Sequence, residues 1–298
     1  MEDAPFSYSV SDPTAQIVSV LQSPFQHTLN TCIEQSGIGL HTGETVDVRI
    51  HPAPVNTGRY FVRTDLEGSP AIVPARIESL HQTVLSTELT CGGTTVRTVE
   101  HLLAALAGLG VDNARIEING PETPLLDGSA QEWVEAIVRA GWEAQSTERS
   151  KFELEHPAIV QQGDAFVMAV PAEQIQFTYG IDFPHPAIGQ QWQSINLEEF
   201  AMEIAPARTF GFAESVEKLR ASGLIKGGSL DNALVCGTQG WINPPLRYPN
   251  EPARHKLLDL VGDLSLLGIF PKAHIVAYKG SHSLHTQLVR RLAHPTAQ

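Results

Sequence analysis

Cysteine is scarce in this 298-residue chain, and Cys32, Cys91 and Cys236 stand apart, with no CxxC pair and no even framework. That excludes a disulfide scaffold and a thiolate zinc site. Basic residues are also short, 20 Lys and Arg against 33 Asp and Glu, for a formal net charge of −13. A general nucleic-acid binder needs a basic face to neutralise phosphates, so that class is set aside. A small anionic ligand stays open, because a local pair such as Arg254 and Lys256 acts within a Debye length. No apolar run approaches the ~20 residues of a membrane-spanning helix. The opening MEDAPFSYSV has neither a basic n-region nor an apolar h-region, so neither a secretory leader nor a transit peptide is expected. The cytosol is the expected compartment.

What is present is an ordinary globular balance, 42% hydrophobic and 18% charged, at a length that suits one large domain or two medium ones. Residues 1–26 read as a polar extension in which Val18, Val20 and Leu21 add a short edge strand. Alternating segments 45–52, 58–65 and 71–77 read as strands, and Gly92-Gly93 as the turn of a hairpin. A helix over 98–109, capped by Thr98, a strand over 113–120 and a helix over 129–141 complete a first half. The polar stretch WEAQSTERSK (142–151) is the expected linker. The same grammar then resumes. Strands are expected near 152–160, 165–171 and 174–182, and helices near 196–202 and 213–222. A strand near 233–235, a helix over 252–268, a strand over 274–280 and a helix over 282–292 follow. Two successive halves, 27–145 and 151–298, imply an α+β chain of two similar layered domains.

Two stretches carry the chemistry. In VRTVEHLLAAL (96–106), Leu102, Leu103 and Leu106 supply a buried face while Glu100 and His101 sit in the first turn. Glu100 is comfortable there on the helix dipole alone, and a solitary His101 reads as a boundary residue. In RHKLLDLVGDL (254–264), helical rotation puts His255, Asp259 and Asp263 on one stripe, with Leu257, Leu260, Val261 and Leu264 elsewhere. Alone, that stripe reads as a solvated polar face. Taken together, two imidazoles and one carboxylate make a three-ligand zinc site with a position left for water. A neighbouring carboxylate, Glu100, supplies a base, and Asp263 can hold His282 of KGSHSL in its charged form.

Eight segments in order resemble the UDP-3-O-acyl-N-acetylglucosamine deacetylases, zinc amidases of the committed step of lipid A synthesis. They are SGIGLHTGE (36–44), TVEHLLAALAGLGVDNARIEING (98–120), PLLDGSAQEWV (124–134), IDFPHPAIG (181–189), ARTFGF (207–212), GLIKGGSLDNALV (223–235), RHKLLDLVGDL (254–264) and AYKGSH (277–282). The resemblance implies zinc, or ferrous iron in the cell, on His101, His255 and Asp259, with Glu100 as base. It further implies Lys256 in substrate contact, Asp263 supporting His282, which protonates the leaving amine or stabilises the oxyanion, Thr209 as a hydroxyl donor to the oxyanion, and Phe210 lining the pocket. The family fold is two similar domains, each with an insert, with the site between them. An insert over about 212–235 would form a passage for the fatty acyl chain, with Ala213, Val216, Ile225, Ser229 and Ala233 at matching positions. The family's pyrophosphate lysine has no counterpart in FELEHPAIV (152–160), which leaves Lys256 and Lys279 for the diphosphate. The partner implied is an acylated UDP-sugar, acted on by a monomer. A zinc amidase for another acylated amide, or a non-catalytic binder of nucleotide-sugar, are the alternatives.

Other signals point to structure. GIGLHTG has the wrong spacing for a dinucleotide loop, no GxSxG elbow exists, Cys91 sits beside a glycine turn, and His185 lies between prolines. His41 receives no catalytic role.

Overall fold

The structure, a computed structural model, describes residues 13–67 and 71–294. The segment MEDAPFSYSV lies outside the described residues. Helix α1 (Pro13–Gln22) leads into β1 (Phe25–Leu29), β2 (Ile33–Ile38), β3 (Thr45–Pro52), β4 (Arg59–Arg63) and β5 (Ala71–Pro74). An inserted sheet follows, β6 (Leu80–Gln82), β7 (Glu88–Cys91) and β8 (Thr94–Arg97), then α2 (Glu100–Gly108), β9 (Ala114–Ile118), α3 (Gln131–Ala140) and β10 (Trp142–Glu148). The second half comprises β11 (Ala158–Gln162), β12 (Ala165–Pro171), β13 (Gln176–Asp182), β14 (Gln190–Asn196) and α4 (Phe200–Glu203). Its own insert is β15 (Phe210–Phe212), α5 (Ala213–Ala221), β16 (Leu234–Gly237) and β17 (Gly240–Trp241). Helix α6 (Glu251–Leu264), β18 (Ala273–Tyr278) and α7 (His282–Ala293) close the chain.

The two main sheets share one topology. The first runs β2-β3-β9-β4-β5 and the second β11-β12-β18-β13-β14. In each, the late-arriving strand inserts between two hairpins and makes the one parallel pairing, β4 with β9 and β13 with β18. This matches an α+β chain built from two like units. Helix α3 lies against β2, α6 against β13 and β14, α7 against β11 and β12, and α2 and α6 pack on one another.

The sequence misjudges the joints. Residues 17–21 are helical, not an edge strand, because Ile17 and Val20 are buried three residues apart on one face of α1. The expected linker is mostly strand: β10 pairs antiparallel with β1, and Trp142 Nε1 donates to the Leu109 carbonyl at 2.9 Å. Its polar character fits a two-stranded ribbon outside the main sheets. Residues 152–157 precede β11 rather than forming part of it. The helix expected over 196–202 is a single 3-10 turn followed by the four residues of α4, and 190–196 pairs with β13.

Candidate metal centre

Beyond Glu100 and His101 in its first turn, helix α2 is apolar all round, and every one of its residues is buried. Leu102, Leu103 and Leu106 are wholly inaccessible, each contributing roughly 1.5–3 kcal/mol of burial that anchors the helix. Thr98 does not cap it. Its backbone adopts φ 57° and its hydroxyl donates to Glu122 Oε1 at 2.7 Å, so α2 is entered through Val99 without a side-chain cap. The Glu122 carboxylate also accepts the backbone N–H groups of His41 and Thr42, fastening the LHTG turn behind the start of the helix.

Helix α6 reaches the same place from the other half. A Cβ on Gly262 would run into the carbonyl oxygen of Glu100, so glycine is what lets the two backbones touch. That contact brings the His255, Asp259 and Asp263 stripe alongside Glu100 and His101.

His101, His255 and Asp259 are all buried, with ligand atoms within 4.8 Å of one another. Asp259 Oδ1 lies 3.4 Å from His255 Nε2 and 3.6 Å from His101 Nε2. Those separations are long for hydrogen bonds and close to the edge, about 3.4 Å, of a tetrahedron with ligand bonds of ~2.0–2.1 Å. His255 Nδ1–H donates to the Ala207 carbonyl at 3.0 Å, which leaves the Nε2 lone pair free. Burial pulls His255 down to about 3, so its ring is neutral, as a ligand must be. Burial opposes the Asp259 charge, but Lys256 Nζ at 2.8 Å outweighs it and keeps the group a carboxylate. Lys256 itself loses to burial and gains more from Asp259, ending above its ordinary value. The donor set fits a divalent cation.

The other charges are arranged for proton transfer. Glu100 Oε2 accepts the Thr87 backbone N–H at 3.0 Å, and burial raises the carboxyl above its usual range. Glu100 Oε1 lies 4.0 Å from His282 Nε2. His282 opens α7, where the Ser281 side chain caps the helix. Burial disfavours the charge on His282, yet Asp263 Oδ2 at 2.7 Å from Nδ1 overrides it and lifts the ring to about 9. Asp263 is in turn pulled down to about 2, against the burial cost, chiefly by His282. Among the described residues Asp263, His282 and His285 also cluster closely enough to suggest a second metal group, but both imidazole Nδ1 atoms sit at hydrogen-bond distance from one carboxylate oxygen, 2.7 and 2.8 Å. That is a hydrogen-bonded network.

A cavity of about 270 Å³ gathers the predicted residues Glu100, His101, Thr209, Phe210, His255, Lys256, Asp259 and His282, with Leu40, Leu85 and Leu125 on its apolar wall. Asp263 stands behind His282. Lys279 is not in this lining; its ammonium pairs with Asp164 and Asp182 at 2.8 and 3.2 Å. Nor do Ala213, Val216, Ile225, Ser229 and Ala233 line it. In the insert, Ser229 is exposed, the other four are half-buried, and no residue of α5 is fully buried. His41 is buried near the insert, accepting from Ile225 N at 3.4 Å, and His185 pairs with Glu214 and stacks on Phe212. Sequence reasoning missed Thr87, Tyr179 and His285. His285 had a signal, its i+3 spacing from His282 on one helix face; Thr87 and Tyr179 join only through the fold.

A family model described as UDP-3-O-acyl N-acetylglycosamine deacetylase matches residues 26–294. The chain belongs to this deacetylase family. A UDP-3-O-acyl-N-acetylglucosamine deacetylase from Nostoc sp. is 61% identical over 274 residues, covering 90% of this chain and 98% of that protein. One from Thermosynechococcus vestitus is 56% identical over 285 residues, covering 96% and 98%. An Arabidopsis thaliana relative, whose name carries the same deacetylase activity and the word mitochondrial, is 44% identical over 310 aligned positions, covering 96% and 93%. Among the described residues of this deacetylase, no helix is long and apolar enough to cross a membrane.

Proposed function

We propose a division of labour among these side chains for the family's reaction. As a member of that family the chain is an amide hydrolase: it removes the N-acetyl group of UDP-3-O-acyl-N-acetylglucosamine, a small-molecule substrate, in lipid A synthesis. His101, His255 and Asp259 hold the cation, zinc or ferrous iron, both of which accept two imidazoles and a carboxylate. Bound there, the metal supplies a Lewis acid for the acetyl carbonyl and lowers the pKa of water.

The chain's own residues do the rest. Glu100, fixed by the Thr87 N–H, takes a proton from the attacking water. Thr209 and the charged His282 face the charge that grows on the carbonyl oxygen. His282 then delivers its proton to the departing nitrogen, and Asp263 keeps that proton in place beforehand. Lys256 balances Asp259 and contacts substrate at the cavity rim, Phe210 forms a wall, and Lys279 remains a diphosphate contact only if its two aspartates release it. The insert about Ala213, Val216, Ile225, Ser229 and Ala233 takes the acyl chain; helix α5 without a buried residue supports an open passage. Residues 27–145 and 151–298 act as the two units, with β10 running across their join. The enzyme is read as a cytosolic monomer, and three free cysteines agree with the cytosol.

The observation that carries this reading is the convergence of three metal donors, a raised carboxyl and a charged histidine on one cavity. Acetate release from the acylated UDP-sugar, measured with metal-free and zinc-loaded protein, tests it. Release should require metal and drop sharply for the sugar lacking its acyl chain. Equal release without metal would overturn the centre, and indifference to the acyl chain would overturn the passage.

A further inference from the structure

Asp263 does more than face His282. Its Oδ1 accepts the Thr87 hydroxyl at 2.5 Å, and its Oδ2 accepts two imidazoles, His282 Nδ1 at 2.7 Å and His285 Nδ1 at 2.8 Å. All four side chains are buried. On the far side of His285, Nε2 lies 3.0 Å from the hydroxyl of Tyr179, a wholly buried residue of β13. Burial, reinforced by Asp259 and Asp263, raises the Tyr179 hydroxyl well above its ordinary value, so it keeps its proton and donates it. A donor at Nε2 obliges a neutral His285 to carry its hydrogen on Nδ1, the atom aimed at Asp263.

We infer that Tyr179 and His285 are positioning residues for the deacetylase: Tyr179 sets the tautomer of His285, and His285 supplies a second N–H that pins Asp263 behind His282. This rests on the reading of His282 as the acid. One carboxylate oxygen shared by two N–H donors cannot rotate to follow either ring. Without the His285 donor, Asp263 keeps only Thr87 opposite His282, and the imidazole loses its fixed aim at the cavity. Around His282 the charged groups are Glu100 from α2, Asp259 and Asp263 from α6, with Lys256 beyond Asp259. Tyr179 and His285 hydrogen-bond to each other, and His285 to Asp263, rather than to a metal donor, and do not line the cavity, so substrate binding should not depend on them.

The test is steady-state kinetics of the zinc-loaded enzyme on the acylated UDP-sugar, with bound metal measured for each variant. His285→Phe keeps a ring but no donor, and kcat should fall roughly 10–100-fold, the scale typical of groups that orient a reacting shell, with KM within about twofold. His285→Asn places an amide N–H at the same δ position and should recover most of that loss. Tyr179→Phe should lower kcat by at least several-fold, again with KM and metal content unchanged. A His285→Phe enzyme with normal kcat overturns the inference, as does His285→Asn impaired equally, or a loss that tracks lost metal. If His285→Phe does not fold, Tyr179→Phe decides alone, and normal kcat there overturns it. His282→Ala is the control: full kcat would remove His282 as the acid and this inference with it, whereas an inactive His282→Ala beside a normal His285→Phe overturns this inference only.

Discussion

Glu100 and His282 face each other across 4.0 Å, and their surroundings suit the opposite tasks proposed for them. Burial raises Glu100 above its ordinary value, which strengthens its carboxylate as a base, while Asp263 overcomes burial to keep His282 charged to about pH 9. Glu100→Ala should retain bound metal and lose about 10²–10⁴-fold in kcat; metal analysis beside acetate release checks both halves. The pH dependence follows by sign. Activity that needs ionised Glu100 and charged His282 rises as Glu100 loses its proton and falls as pH passes about 9. Asp263→Asn removes the opposite charge that raised His282, so the alkaline limb must move to lower pH. A limb that stays where it was would show that His282 does not set it. Stability moves with the same pair. The contribution of His282 is complete below its ordinary value of 6.5 and is lost as pH rises through about 9, whereas that of Asp263 is complete above 3.8 and is lost as pH falls through about 2.

Helices α2 and α6 are the elements that make these residues neighbours, and Gly262 is where they touch. Gly262→Ala places a methyl against the Glu100 carbonyl oxygen, so the helices must part. A stability loss of about 1–3 kcal/mol is expected from overpacking, with a larger loss of metal affinity because His101 rides on one helix and His255 and Asp259 on the other. Denaturant melts and zinc titration of the variant measure the two effects. Much of this was legible in the chain. The apolar run from Leu102 to Leu106 announced a buried helix, and the i, i+4, i+8 stripe on α6 placed three polar groups on one face. Period gives the face of an element but not its neighbour, so the pairing of α2 with α6 and the arrival of Thr87 and Tyr179 were invisible. Polar ribbons mislead in the same way: β10 has too few apolar residues to read as a strand, and only β1 across from it makes it one. Thr98 had the right identity for a cap, yet Glu122 claimed its hydroxyl.

Two like halves joined where α2 packs on α6 need fastening, and the fastenings run through the same seam as the chemistry. Arg59 of β4, buried, donates to the carbonyls of Val111, Ser265 and Gly268, tying the end of α6 to the first half. A cation held by His101 from the first half and by His255 and Asp259 from the second is another such tie, so its binding energy is also folding energy. Saturation a thousandfold above Kd would add about 4 kcal/mol to the native state, provided the unfolded chain binds the ion weakly. For a chain of this length that corresponds to a rise in Tm of roughly 5–8 °C. Chelation should therefore lower Tm by that amount and zinc should restore it. His101→Ala should shrink both shifts, because losing one of the three donors weakens binding and with it the linked stabilisation. A metal-free protein that melts where the loaded one does would mean that the ion does not bind the native fold in preference to the unfolded chain.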